Sequence, residues 1–410
     1  MTGSAGIAAS LSIEHRDAGS RARAGRLRLA HGEVRTPAFV PLATKGAVKT
    51  LEPSEVAALG YDMVLGNAFH LLLEPGHELV ARHGGLHDFM RWPGPIITDS
   101  GGFQVFSMGH GTVADEVKGR APRGEGEREG AIRSINEDGV RFRSYTDGGD
   151  RFMGPETSME VQAALGSDIA LAFDECTPFH VPREYTERST ERTHRWLVRC
   201  LDWHREHGPS GQLLYGIVQG GVYEDLRRAS AREVAASGVD GIAIGGSLGQ
   251  DKRQMHEVVG WATEELQGPA DAMPRHLLGI GEVDDLIRGV ELGIDTFDCA
   301  MPTRIARHGM VLVPDPEGRW RTDLAKSRAR DDDAPMMEGC PCPACAVGYS
   351  RAYLHHLLRA RELTALRLIT LHNLAFIARL MADLRAAIAA GTLAETAAAL
   401  RSGAAPGVAA

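Results

Sequence analysis

Eight short apolar runs, each ending in glycine or polar residues ahead of a helix-like segment, are the strongest constraint on how this 410-residue chain can fold. They cover residues 39–44, 63–67, 95–100, 168–174, 213–219, 241–246, 276–281 and 293–298. Near-continuous hydrophobic runs of this length suit parallel strands buried on both faces. Residues 155–165, 185–207, 224–236, 255–266 and 283–292 lie between them with the spaced apolar pattern of helices. Such alternation predicts an α/β fold, and eight runs predict a (β/α)8 TIM barrel, with an open doubly wound sheet as the competing arrangement.

Two regions depart from the rhythm. Residues 11–35 alternate loosely and are expected to form a small antiparallel cap at the N-terminal end of the barrel. Residues 107–151 hold a glycine- and charge-rich stretch, 110–130, expected to be a mobile insertion. An alternating stretch follows at 139–145, with a turn at Asp147-Gly148, expected to be a hairpin arm. The barrel pattern stops after Pro302. The expected division is a capped barrel over 11–302 with the insertion near 107–151, a metal-binding subdomain with C-terminal helices over 303–400, and a disordered tail over 403–410.

Apolar content of 43% and charged content of 24% are ordinary for a globular protein, and no apolar run is expected to reach membrane-spanning length. Residues 1–10 carry no basic residue ahead of a weakly apolar stretch, a poor match to a secretory signal, so the cytoplasm is the expected compartment. A net charge of −9 argues against a surface that coats nucleic acid broadly, while leaving room for a local basic site.

In a (β/α)8 barrel the reactive groups sit at the C-terminal ends of the strands. Here the third run ends Thr98-Asp99-Ser100-Gly101-Gly102-Phe103-Gln104 and the fourth Phe173-Asp174-Glu175-Cys176. The fifth ends Val218-Gln219-Gly220-Gly221, the sixth Ile244-Gly245-Gly246 and the eighth Phe297-Asp298-Cys299. One aspartate after a strand reads as a helix N-cap, and Asp295 is the candidate for such a structural role. Three strand-ending aspartates around one mouth, Asp99, Asp174 and Asp298, allow a division between nucleophile and acid/base, as in retaining glycosyl transfer. A carboxylate, a glutamine and glycine N–H groups together match the edge of a planar heterocycle such as guanine, with N1–H and N2–H2 beside O6. Phe103 is either a stacking face for that ring or a core residue.

Cys340-Pro341-Cys342-Pro343-Ala344-Cys345 gathers half of the six cysteines into six residues, with His355, His356 and His372 downstream. Three thiolates and one histidine would close a tetrahedral structural zinc site. A disulfide with a spare thiol is the alternative. Between the last strand and this run, Arg304, Arg307, Arg319, Arg321, Lys326, Arg328 and Arg330 outnumber Asp315, Glu317 and Asp323, with Trp320 among them. This segment is read as an RNA-phosphate contact surface, against the alternative of a solvated charged face.

These stretches resemble the tRNA-guanine transglycosylases, bacterial type, over roughly residues 11–385. The matching motifs include Leu65-Gly66-Asn67 with His70, the Thr98–Gln104 stretch, Ala172-Phe173-Asp174-Glu175-Cys176-Thr177-Pro178 and Gly216-Ile217-Val218-Gln219-Gly220. Gly293-Ile294-Asp295-Thr296-Phe297-Asp298-Cys299-Ala300-Met301-Pro302-Thr303-Arg304, the Ser350–Leu357 stretch and His372-Asn373 complete the set. The resemblance implies exchange of guanine at the tRNA wobble position for a 7-deazaguanine, preQ1 in bacterial members. It implies Asp298 as a nucleophile holding the ribose C1′, Asp99 as general acid/base, and Asp174, Gln219, Gly246 and Ser247 beside the base. Phe103 and Leu278 would flank the base, and Arg304 and Arg307 would contact RNA. One structural Zn2+ would be held by Cys340, Cys342, Cys345 and His372, and the family is usually homodimeric.

The resemblance is not uniform. Bacterial members commonly carry tyrosine where Phe103 stands and methionine where Leu278 stands. Their L-A-V-G-E run after the paired glycines is Ser247-Leu248-Gly249-Gln250 here, so the choice among preQ1, preQ0 and queuine stays open. Three other readings stand beside base exchange in tRNA: a DNA-modifying relative, a non-catalytic RNA-binding partner subunit, and a barrel glycosidase.

Overall fold

A computed structural model of the protein describes residues 10–109 and 132–407. Its strands are β1 Leu11–Arg16, β2 Arg23–Leu29, β3 Gly32–Thr36, β4 Ala38–Pro41, β5 Val64–Gly66, β6 Ile96–Thr98, β7 Ile132–Ile135, β8 Val140–Arg143, β9 Asp150–Met153, β10 Ile169–Leu171, β11 Leu213–Val218, β12 Gly241–Ile244, β13 Arg275–Leu277, β14 Thr296–Cys299, β15 Met310–Leu312 and β16 Arg321–Asp323. Eight of them form one parallel sheet in the order β4-β14-β13-β12-β11-β10-β6-β5. A parallel bridge between Leu42 and Leu65 joins its two ends. The sheet is the expected (β/α)8 barrel rather than an open doubly wound one.

Period-two alternation sorts the strand side chains into two layers. Val40, Leu65, Ile97, Leu171, Tyr215 and Ile217 share one apolar cluster with Leu11, Leu27 and Val34. Phe39, Val64, Ile96, Ala170, Leu214 and Phe297 belong to a second, which continues into the surrounding helices. The first is the barrel interior, closed from below by the antiparallel β1-β2-β3 sheet. Arg23 of that cap donates to both oxygens of Asp295, at 2.8 and 2.6 Å, and Asp295 also accepts from the Arg275 N–H at 2.7 Å. Asp295 is thus structural, but as the anchor of the cap rather than as a helix cap. Asp168, at the same end of the barrel, accepts from His31 and Ile96 backbone N–H groups and bonds the His31 and His87 rings.

The hairpin arm is a three-stranded sheet, β7-β8-β9, with one strand more than the alternating stretch indicated. Phe142 of the arm lies 5.2 Å from Phe69, and the Tyr145 hydroxyl is 2.8 Å from His70 Nδ1, so the arm packs on the segment after β5. The 110–130 insertion expected ahead of the arm lies outside the described residues.

After β14 the short helix Met301–Ala306 leads into the β15-β16 hairpin and the helices Arg351–Ala360, Leu363–Ala390 and Leu393–Arg401. Leu363–Ala390 is long and apolar enough to cross a membrane by length and composition, which corrects the expectation that no apolar run reaches that length. Its most apolar window is 72% buried within the protein, packed against β4, β15 and Met301–Ala306, so here it is a core helix. The disordered tail is corrected for residues 403–407: Arg379 Nε donates to the Pro406 carbonyl at 3.0 Å and the Gly407 N–H to Asp383 at 2.7 Å.

Candidate active site

The C-terminal ends of β6, β10, β11, β12, β13 and β14 converge on one mouth. Asp99 follows β6, where the Ala68 N–H donates to Oδ1 at 2.9 Å and the Asn67 amide donates to Oδ2. Burial pushes the Asp99 carboxyl up to about 7, and the nearby charges of Asp298 and Asp174 add to that rise against the opposing backbone bonds. A carboxyl balanced near neutral pH suits proton transfer in both directions.

Asp174, past the end of β10, is buried. It accepts from Ser100 Oγ at 3.0 Å and from Gln219 Nε2 at 2.7 Å. Burial outweighs these bonds and raises its pKa to about 6. With its amide nitrogen committed to Asp174, Gln219 keeps Oε1 buried without a hydrogen-bond partner. Ser247 Oγ is in the same condition. Orphaned buried acceptors and hydroxyls are costly unless something completes them.

Gly246 sits at φ +78° between these groups, and a Cβ there would lie 2.1 Å from Gln219 Oε1. Gly102 is equally confined, since a Cβ would come within 2.6 Å of the Asp174 carbonyl oxygen. These glycines let two backbones approach the polar groups without filling the space between them.

Asp298 is the penultimate residue of β14. Its Oδ1 accepts from the Gly279 N–H at 3.1 Å and lies 3.1 Å from His276 Nε2. Phe103 is 38% exposed, which removes the core-packing alternative, and Leu278 is half-buried at the end of β13. Asp99, Asp174, Gln219, Gly246 and Asp298 thus all stand at the same end of the barrel, as do Phe103, Ser247 and Leu278.

The family model for queuine tRNA-ribosyltransferase matches residues 17–404. A queuine tRNA-ribosyltransferase of Roseiflexus sp. (strain RS-1) is 51% identical over 391 residues, covering 93% of this chain and 96% of the relative. Those of Symbiobacterium thermophilum and Stenotrophomonas maltophilia (strain K279a) are 48% and 47% identical, over 93% and 91% of this chain and 88% and 92% of the relatives.

The chain belongs to the queuine tRNA-ribosyltransferase family. It is accordingly a pentosyltransferase, and the strand-end carboxylates are its candidate chemistry.

Cys340, Cys342, Cys345 and His372 come together as one buried group. The three sulfurs lie 3.6, 3.6 and 3.3 Å from His372 Nδ1. A tetrahedral ion with Zn–S of ~2.3 Å and Zn–N of ~2.0 Å would set its S···N edges near ~3.6 Å, so the spacing is that of a metal cage. None of the six cysteines is in a disulfide. His372 Nε2 lies 2.8 Å from the Leu312 carbonyl oxygen, which orients Nδ1 toward the sulfurs, and Arg379 donates to Cys340 Sγ at 3.2 Å. His355 lies outside the group, with Nδ1 2.7 Å from the Leu324 carbonyl oxygen.

The basic segment is less uniform than its sequence. Arg304 is exposed just after β14. Arg307 donates to the Thr303 carbonyl at 2.9 Å, and burial together with the Arg304 charge lowers its pKa. Arg321 pairs with Glu282. Trp320 is buried, with Nε1 donating to Asp284 at 3.0 Å, so it offers no face to a nucleic acid.

Sequence reasoning gave Asn67 no role, although it holds Asp99, and it overlooked His276 and Arg227. Arg227 is fully buried and donates to the carbonyls of Val218, Gly221, Gly245 and Ser247, binding the loops that follow β11 and β12. An arginine three residues into the helix Glu224–Ala236, just beyond Gly220-Gly221, was the available signal.

Proposed function

We propose that the protein exchanges guanine at the tRNA wobble position for a 7-deazaguanine, with preQ1 as the leading candidate, through a covalent aspartyl-ribosyl RNA intermediate. The observation that carries this reading is the shared mouth of Asp99, Asp174 and Asp298, lined by the unpartnered Gln219 oxygen. Asp174 and Gln219 offer acceptors for guanine N–H groups, and the Gly246 N–H offers a donor for O6. Phe103 and Leu278 flank the ring, and Ser247 stands beside the 7-substituent.

In the first half, a lone pair of the Asp298 carboxylate forms a bond to C1′ while the C1′–N9 pair leaves with the base. The protonated Asp99 supplies the proton that neutralises the departing guanine. In the second half, the entering base gives its N9 proton to the Asp99 carboxylate, N9 bonds to C1′, and Asp298 leaves as a carboxylate. Two displacements retain the anomeric configuration without a nucleotide energy source. The target base leaves the stack of a single-stranded loop at modest cost.

The cysteine–histidine cage holds zinc, which when bound fixes the shape of the segment after β14. That segment presents Arg304 and Arg307 to the RNA backbone. The barrel over 11–302 is the reacting unit, 303–400 is the zinc-binding unit, and the enzyme works as a cytoplasmic homodimer.

The test is labelled-guanine exchange in tRNA, with preQ1, preQ0 and queuine as competitors and duplex DNA as the alternative acceptor. Wild-type protein should form an RNA adduct stable to denaturation, and Asp298→Asn should form none. An adduct persisting in Asp298→Asn, or failure of all three bases to displace guanine, would refute the reading.

A further inference from the structure

The side chain bonded to Asp298 is a fully buried histidine that no part of the proposed reaction uses. His276 and Thr296 are register partners on the neighbouring strands β13 and β14. Both lie two residues before a mouth residue on the same strand, so by strand alternation they share the face that carries Leu278 and Asp298. His276 Nδ1 is 2.8 Å from Thr296 Oγ1, and His276 Nε2 is 3.1 Å from Asp298 Oδ1. Both ring nitrogens are therefore engaged, and the ring is closed off from solvent.

The chemistry orders this chain. An ionised carboxylate accepts only, so Nε2 must carry the hydrogen that faces Asp298. In a neutral imidazole Nδ1 is then the acceptor, and the Thr296 hydroxyl donates to it. The threonine thus fixes the tautomer that the aspartate requires. The Gly279 N–H supplies a second donor to the same oxygen, Oδ1, at 3.1 Å. Among the described residues no donor is bonded to Oδ2. The carboxylate is asymmetric: one oxygen is held by two donors on β13 and its following turn, and the other is left open.

We infer that the Thr296–His276 pair is a positioning device for the nucleophile, locking the Asp298 carboxylate through Oδ1 so that Oδ2 is the oxygen that bonds C1′. The inference rests on Asp298 being the nucleophile. His276 and Thr296 do not touch the RNA in this scheme; they act through Asp298. Their loss should slow the covalent step while leaving the binding of tRNA unchanged.

The experiment measures the rate of the denaturant-stable RNA adduct in a single turnover, together with KM for tRNA. Losing one hydrogen bond to a charged group corresponds to about 10–100-fold in rate. Thr296→Val, which keeps the shape and removes the donor, should slow the adduct about 3–10-fold at unchanged KM, and Thr296→Ser should restore it. His276→Leu should lower the rate about 10–100-fold, whereas His276→Gln, which keeps an N–H near the Nε2 position, should recover most of it. Tm measured on each variant separates slow chemistry from poor folding, and Thr296→Val covers the case in which His276→Leu does not fold. Wild-type rates in both Thr296→Val and His276→Leu, or equal defects in His276→Leu and His276→Gln, would overturn the inference while the nucleophile assignment stands. A wild-type enzyme that forms no adduct at all would overturn that assignment and this inference with it.

Discussion

Gln219 donates its side-chain N–H to Asp174 at 2.7 Å and thereby fixes the direction of its own carbonyl oxygen, which is left buried and unpartnered beside Gly246. Two neighbouring strands thus set one polar edge with its acceptor already in place. On the proposed function this edge would discriminate, because a ring lacking the matching N–H would leave the oxygen orphaned.

Gly246→Ala should abolish base exchange. The new methyl would sit where Gln219 Oε1 is, in a backbone conformation that alanine rarely adopts. Base-exchange kcat/KM should fall at least ~100-fold, by roughly 3 kcal/mol, while tRNA binding measured by gel shift is kept.

The two half-reactions should respond oppositely to pH. Asp99, raised to about 7, is protonated below that pH and ionised above it. Guanine release needs the acid form, so its single-turnover rate should fall as pH rises through 7. Capture of the incoming base needs the carboxylate and should not fall with it. In the proposed adduct, esterification of Asp298 would remove one of the charges that raise Asp99 and so favour the form that the second half needs. Asp174, raised to about 6, loses an acceptor when protonated, and KM for the free base should climb below pH 6.

Cys342→Ser should release the bound metal, measured by elemental analysis, and lower Tm by on the order of 10 °C. Weaker tRNA binding should accompany it. Full exchange activity in a metal-free variant would remove the cage from any role in RNA handling.

Arg23→Met should destabilise the fold by about 3–5 kcal/mol, because it leaves Asp295 buried with its charge uncompensated. The double variant Arg23→Met/Asp295→Asn should recover part of that loss in urea unfolding. A neutral result for the single variant would show that the cap is held by apolar contacts alone.

The barrel was legible because its strands are short, doubly buried and punctuated by glycine, and because the mouth residues directly follow them. The metal cage was legible from spacing. What the sequence concealed were the partners of single polar and aromatic side chains. His276 merely opens the seventh apolar run, and only its register opposite Thr296 reveals a hydrogen-bond chain. Arg23 looks like a surface cation, yet it is fully buried on acceptors supplied by distant segments. Trp320 looked available to RNA because it lies among arginines, and a contact with Asp284, 36 residues earlier, takes it inside. Partners this far apart in sequence leave no local pattern to read.

Asn373 donates to the carbonyls of Pro302 and Met310 and accepts from the Leu312 N–H, while His372 beside it engages the Leu312 carbonyl. The backbone that leaves β14 is completed by a helix some seventy residues further on. Residues 302–312 gain these partners only once residues 372 and 373 have been synthesised. A chain cut short of His372 would leave the Pro302, Met310 and Leu312 backbone groups without these partners, on the segment that directly follows the candidate nucleophile Asp298.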